Sequence, residues 1–138
     1  MQYRFAGQKD LRRLAELNQQ LIRDEGADNP MTLLELQKRM RKWLASRYRA
    51  VLFEVGCETV GYALFRADDG DVYIRQFFIC RSKRRRGYGR SSLALLLREV
   101  LPGGRGVTVE VLNHNKPALA FWRSVGFADH ARSLRILT

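Results

Sequence analysis

The stretch FFICRSKRRRGYG, residues 77–89, is an apolar run that gives way to cations and then to two glycines. The apolar part closes VYIRQFFIC (72–80), the longest strand candidate in the chain. After the basic loop, Gly89 to Leu101 has helical spacing, with Leu93, Leu96, Leu97 and Val100 turned inward. Arg84-Arg85-Arg86-Gly87-Tyr88-Gly89 therefore joins a strand to the start of a helix. Glycines let consecutive N–H groups converge, and the helix N-terminus adds partial positive charge. With the arginines, that is a nest for a diphosphate. By itself a glycine pair in a basic loop is more often a turn on a solvated face, and it is not the six-position dinucleotide fingerprint.

On the N-terminal side, QYRFA (2–6) reads as a short strand. Leu11, Leu14, Ala15, Leu21 and Ile22 place one apolar face on a helix over 9–23, which Gly26 ends. Thr32 and Glu35 form a capping box that opens a second helix carried by Leu33, Leu36, Met40, Trp43 and Leu44. YRAVLFEV (48–55), the turn GCET and VGYALFRA (60–67) read as a hairpin. Beyond the phosphate-like loop, PGGRG breaks the helix before VTVEVL (107–112), a buried-looking strand. A last helix spans Asn115 to Val125, Gly126 caps it, and RSLRIL (132–137) has the alternation of a final strand. The order β-α-α-β-β-β-α-β-α-β implies a mixed α/β sheet with helices on both faces. The crossover makes strands 72–80 and 107–112 parallel neighbours. With no repeat, linker or low-complexity tract, 1–138 reads as one domain.

Composition narrows the function classes. Hydrophobic residues at 46% and charged ones at 28% describe a folded globular chain. No stretch has the eighteen or so apolar residues of a membrane span, and the N-terminus lacks a signal-peptide core, so membrane partners are not expected. Cys57 and Cys80 give neither metal-ligand spacing nor a disulfide framework; two free thiols in a cytoplasmic protein without metal are the expectation. The net charge of +11 allows a polyanionic partner or merely an arginine-rich chain. The cluster Arg81, Lys83, Arg84, Arg85, Arg86, Arg90 is different, since cations so close repel one another unless an anion is expected. Nucleic acid fits poorly, because the densest cluster sits in a glycine nest without interleaved aromatics.

A second constellation, Asn115, Ala118, Phe121, Trp122, Gly126 and Phe127, stands as N-x-x-A-x-x-F-W-x-x-x-G-F. Together with the loop, in this order and separation, it resembles the GCN5-related N-acetyltransferase superfamily. The resemblance implies a splayed sheet of six or seven strands with about four helices, and acetyl-CoA-dependent transfer of an acetyl group to a primary amine. It further implies that Arg84, Gly87 and Gly89, with Arg85, Arg86, Tyr88 and Arg90 around them, hold the coenzyme A pyrophosphate. By the same match Phe78, Ile79 and Cys80 offer backbone to the pantetheine arm, and Asn115 and Trp122 complete the coenzyme site.

Two departures from the pattern stand out. Relatives often carry tyrosine where Trp122 stands, and an indole N–H has no usable acidity. A thiolate whose thiol has a pKa of about 8.5 can nevertheless leave unprotonated, so Trp122 reads as a wall of the tunnel or a hydrogen-bond donor to sulfur. The acceptor amine, with a pKa near 10, must lose a proton before attack. The strand 72–80 supplies no carboxylate; Glu54, Glu110, and Asp24 or Glu25 at the end of the first helix are the candidate bases, each taken singly more readily a solvated charge, and a water chain is the alternative. The segment Ile22 to Met31 is expected to build the acceptor site. Its acids Asp24, Glu25 and Asp28 suggest a cationic acceptor such as a polyamine, amino sugar or protein amine. An acyl-CoA sensor without catalysis is the rival reading on the same fold, and a homodimer is compatible with all of these.

Overall fold

A computed structural model describes residues 1–138. One sheet in the order β1-β2-β3-β4-β5 carries the molecule. Its strands are β1 (Gln2–Phe5), β2 (Tyr48–Val55), β3 (Glu58–Ala67), β4 (Asp71–Ile79) and β5 (Gly106–Val109). The first four pair antiparallel in sequence, and β4 pairs β5 parallel, as the crossover demands. The helices are α1 (Leu11–Glu25), α2 (Leu33–Leu44), α3 (Tyr88–Leu95) and α4 (Lys116–Ser124).

Two apolar cores lie on opposite faces of this sheet. On one, Leu11, Leu14 and Leu17 of α1 and Met40 of α2 pack on Tyr48, Leu52, Tyr62, Leu64 and Phe78. On the other, Leu93 and Leu95 of α3, Leu96 just after it, and Trp122 of α4 pack on Val51, Phe53, Val60, Ala63, Val72 and Ile74. The alternation of β2 and β3 feeds both cores at once, which is why these strands are nearly all buried.

Local chemistry sets the boundaries. α1 ends at Gly26, which takes the left-handed conformation at φ 64°. The capping box that opens α2 is present, with Thr32 Oγ1 accepting from the Glu35 N–H at 3.2 Å and Glu35 accepting from the Thr32 N–H at 3.0 Å. At the other end of the chain, Asn115 Oδ1 caps α4 by accepting from the Ala118 N–H at 3.3 Å.

The sheet has five strands rather than six or seven. The expected strand 107–112 stops at Val109, and residues 132–137 form no strand; Leu134, Ile136 and Leu137 are almost fully exposed. Alternation alone does not make a strand: the backbone needs a ladder to join, and the four-residue β5 offers a short edge that the tail does not take. The α3 helix also differs, because Leu96–Val100 forms one π-helical turn. The wider turn rotates the face, so Leu95 is buried and Leu97, expected inside, is exposed.

β4 and β5 pair only along Asp71–Ile74 and Gly106–Val109. Beyond Ile74 the two strands separate, leaving one edge of β4 from Arg75 to Ile79 without a β5 partner. This divergence positions the site.

Candidate active site

The loop between β4 and α3 has the backbone of an anion nest. Arg85 holds φ 64° and Gly87 φ 74°, with Arg86 between them. Left-handed residues on either side of a third curl the N–H groups inward. For Arg85, which is not glycine, that conformation costs on the order of 1 kcal/mol or more. Gly87 is the N-cap of α3, so the first turn of the helix, with Tyr88, Gly89 and Arg90, opens onto the loop. Gly89 has its own reason to be small: a Cβ there would meet the Phe121 ring at 3.1 Å, so α3 and α4 approach each other through it.

The loop cations are partly neutralised within the protein. Asp24, at the end of α1, accepts from Arg81 at 2.6 Å and from Arg84 through its other oxygen. Arg84 also donates through Nε to the Ile79 carbonyl at 3.0 Å, and Lys83 pairs with Glu58. No ion pair engages Arg85, Arg86 or Arg90. Asp24, one of the acids expected to build the acceptor site, sits against the basic loop, while its neighbour Glu25 lines a separate cavity.

Where β4 and β5 diverge there is a cavity of about 120 Å³. Glu25, Gln76, Glu110, Asn115 and Trp122 all line it. The Glu25 carboxyl is pushed above its ordinary value by burial, and further by the charge of Asp24, with His114 acting weakly the other way. Gln76 accepts a hydrogen bond from the hydroxyl of the fully buried Tyr62 at 2.7 Å, which fixes its amide. Trp122 is buried, edge-on to Phe77, Phe121 and Phe127 at centroid distances of 5.4, 5.2 and 4.9 Å. Its indole N–H makes no hydrogen bond in the protein, so packing alone holds the ring.

Two expected residues lie outside the cavity. Glu54, on β2 opposite Gln2 of β1, pairs with Arg4 at 3.4 Å on the far side of the sheet from β5. Asp28 is exposed in the α1–α2 loop. Phe78, Ile79 and Cys80 are buried at the end of β4. A broader depression of about 450 Å³ beside Cys80, lined also by Lys83 and Ser82, adjoins the loop. Burial raises the Cys80 thiol, which keeps it a packed thiol rather than a nucleophile. No group of histidine, cysteine and carboxylate side chains forms a metal site.

Gln76 was not among the residues expected from the sequence, and neither was its partner Tyr62. A glutamine in a strand signals nothing until the divergence of β4 and β5 exposes it to a cavity.

Residues 12–127 match the family model of the acetyltransferase (GNAT) family. The chain belongs to that family. Solved structures with the same fold include a possible acetyltransferase from Clostridium difficile 630, at 17% identity and TM-score 0.76, covering 99% of this chain and 96% of that one. A predicted acetyltransferase from Clostridium acetobutylicum, solved with acetyl-CoA, is similar at 18% identity and TM-score 0.73, with coverage of 99% and 95%. The aminoglycoside N-acetyltransferase AAC(6')-Iy, in complex with CoA, gives 16% identity, TM-score 0.78 and coverage of 99% and 93%. No curated protein matches the sequence significantly. None of the helices of this GNAT chain is long and apolar enough to cross a membrane.

Proposed function

We propose that this GNAT chain binds acetyl-CoA and transfers its acetyl group to a primary amine by direct attack on the thioester, without metal or covalent enzyme intermediate. The observation that carries the reading is the pairing of an anion nest in the loop after β4 with a cavity, opened where β4 parts from β5, that contains a half-buried carboxylate; Asp24 against the loop and Glu25 in the cavity are chain neighbours.

Arg84 to Arg90 are assigned to the pyrophosphate, with backbone N–H groups of the nest and three unpaired arginines as donors. Phe78, Ile79 and Cys80 carry the backbone assigned to the pantetheine arm. The thioester supplies an activated acyl carbon; the chain's own residues have to deliver a neutral amine to it. Glu25 is our choice of proton acceptor, directly or through water. It lines the cavity, and its raised pKa brings it closer to neutrality, which favours a general base. Glu110 shares the cavity but is exposed, and Glu54 is committed to Arg4. A main-chain N–H near Ile79 is assigned to the developing oxyanion. Trp122 walls the cavity and donates no proton.

The absence of a hydroxyl at Trp122 favours one second reading, an acyl-CoA sensor. The two separate cleanly. Coenzyme A stabilises the folded protein and so raises its melting temperature under both, by about 2.7 kcal/mol of stability at a hundred times its dissociation constant, while pantetheine at the same concentration does much less. Thiol release that depends on added amine occurs only under the first. Equal stabilisation by both compounds would remove the pyrophosphate assignment.

A further inference from the structure

Two arginines share one indole and lack a counterion, and one of them, Arg75, lines the cavity. The guanidinium carbons of Arg39, on α2, and Arg75, on β4, lie 4.5 and 4.9 Å from the Trp43 ring centroid. Neither makes an ion pair, whereas Arg4, Arg66, Arg81, Arg84 and Arg123 each have an aspartate. Arg39 donates to Asn18 Oδ1 at 3.0 Å, but its Nε is buried without an acceptor in the protein, as is Nδ2 of the fully buried Asn18. Arg75 reaches only the Tyr48 hydroxyl, at 3.2 Å, which Arg66 already contacts at 2.5 Å. Burial and the charge of Arg75 both pull Arg39 below its ordinary pKa. Unpaired buried donors and like charges held together are what a protein maintains where an anion is to be received.

The placement says which anion. Arg75 is the residue the ladder between β3 and β4 skips: Leu64 pairs Gln76 and Phe65 pairs Ile74. A bulge of this kind re-aims a side chain. Arg75 lines the same cavity as Glu25 and Gln76. That cavity, at about 120 Å³, is small beside the roughly 300–1,000 Å³ usual for drug-sized ligands.

We propose that Arg75 and Arg39, seated on Trp43, receive an anionic group of the acceptor. The acceptor is then a small zwitterionic amine, its acid group a carboxylate or a phosphate monoester and its amine toward Glu25. This rests on the acetyltransferase reading, and it specifies an acceptor class that the acids of α1 alone do not suggest. Guanidinium forks suit both acid groups.

The test uses matched amines of similar basicity: β-alanine against propylamine, O-phosphoethanolamine against ethanolamine, and spermidine as polycation. Two readouts apply, amine-dependent thiol release from acetyl-CoA and thermal shift of the coenzyme A complex, which registers acceptor binding even without turnover. The expected result is a preference of about tenfold or more for one acid-bearing member over its neutral partner. The pair that shows it separates carboxylate from phosphate. In Arg75→Gln the ratio between partners should collapse toward one; Arg75→Lys, which keeps the charge but loses the fork, should retain part of it. A merely structural arginine would lower the melting temperature and slow both partners alike. Preference for spermidine, equal use of both members of each pair, or a preference surviving in a folded Arg75→Gln protein overturns the proposal. Failure of coenzyme A itself to stabilise the protein would instead count against the acetyltransferase reading.

Discussion

Two arginine clusters flank the same strand, and only one of them is partly balanced from within. At the end of β4, Arg81 and Arg84 meet both oxygens of Asp24. In the middle of β4, Arg75 and its neighbour Arg39 meet indole, hydroxyl and amide but no carboxylate. In the role proposed for the loop cluster, Asp24 competes with the phosphate for Arg81 and Arg84, while Arg85, Arg86 and Arg90 are free to meet it. The unbalanced one has nothing to surrender. Density of positive charge in the sequence is therefore a poor guide to where an anion is most strongly wanted; the pairing of each charge decides it.

The largest effect should come from the acid that lines the cavity with Arg75. Glu25→Gln should lower kcat by about a hundredfold or more, the usual contribution of a general base, while coenzyme A affinity changes little. The same change should stabilise the fold at neutral pH. The folded-state pKa of Glu25 is raised, so the native protein binds this proton more tightly than the unfolded chain does. Ionisation then costs stability as pH rises through the unfolded value toward the folded one, and glutamine escapes that cost. The stability difference should vanish below about pH 4, where both states hold the proton. Unchanged turnover in Glu25→Gln would assign the proton to water or to Glu110.

Gly89→Val should weaken coenzyme A binding by about tenfold or more in titration calorimetry, since its side chain must displace Phe121 and the first turn of α3. Wild-type affinity in the folded variant would place the coenzyme elsewhere.

Asp24→Asn breaks the balance of the loop cluster directly. With the competing carboxylate gone, coenzyme A should bind several-fold more tightly. Because the charge of Asp24 also raises Glu25, the acidic limb of the pH profile of kcat/KM should move to lower pH. Weaker coenzyme binding would mean that Asp24 aims Arg84 rather than rivals the phosphate.

Trp122→Phe should have the smallest consequence, a fall in turnover of less than about tenfold, since an aromatic ring is kept and only an unpaired N–H is lost. Abolished turnover at unchanged melting temperature would make the indole N–H catalytic.

How much of this could be read from the sequence follows the range of the forces involved. Gly26 and the Thr32–Glu35 box act within a turn of chain, and each stands where its residues indicate. The parallel pairing of β4 and β5 follows from chain handedness and is equally legible. The tail at 132–137 is not, since alternation says which face a strand would bury and not whether a ladder is within reach. Long-range placement is where the site escaped the sequence. That Asp24 turns to Arg84 while Glu25 turns to the cavity depends on a contact between residues 60 positions apart. Arg75 and Gln76 were visible only as polar interruptions of an apolar strand, and the bulge that aims them appears only in the register with β3.

The most direct test of the account is acetyl transfer itself: purified protein with acetyl-CoA and the matched amines, followed by thiol release and by mass spectrometry of the amine. The account predicts that coenzyme A thiol appears in step with an N-acetylated product, at a rate that depends on amine concentration and falls in Glu25→Gln. Tight coenzyme binding with no acetylated amine across the panel would contradict it and leave a protein that senses acyl-CoA without using it.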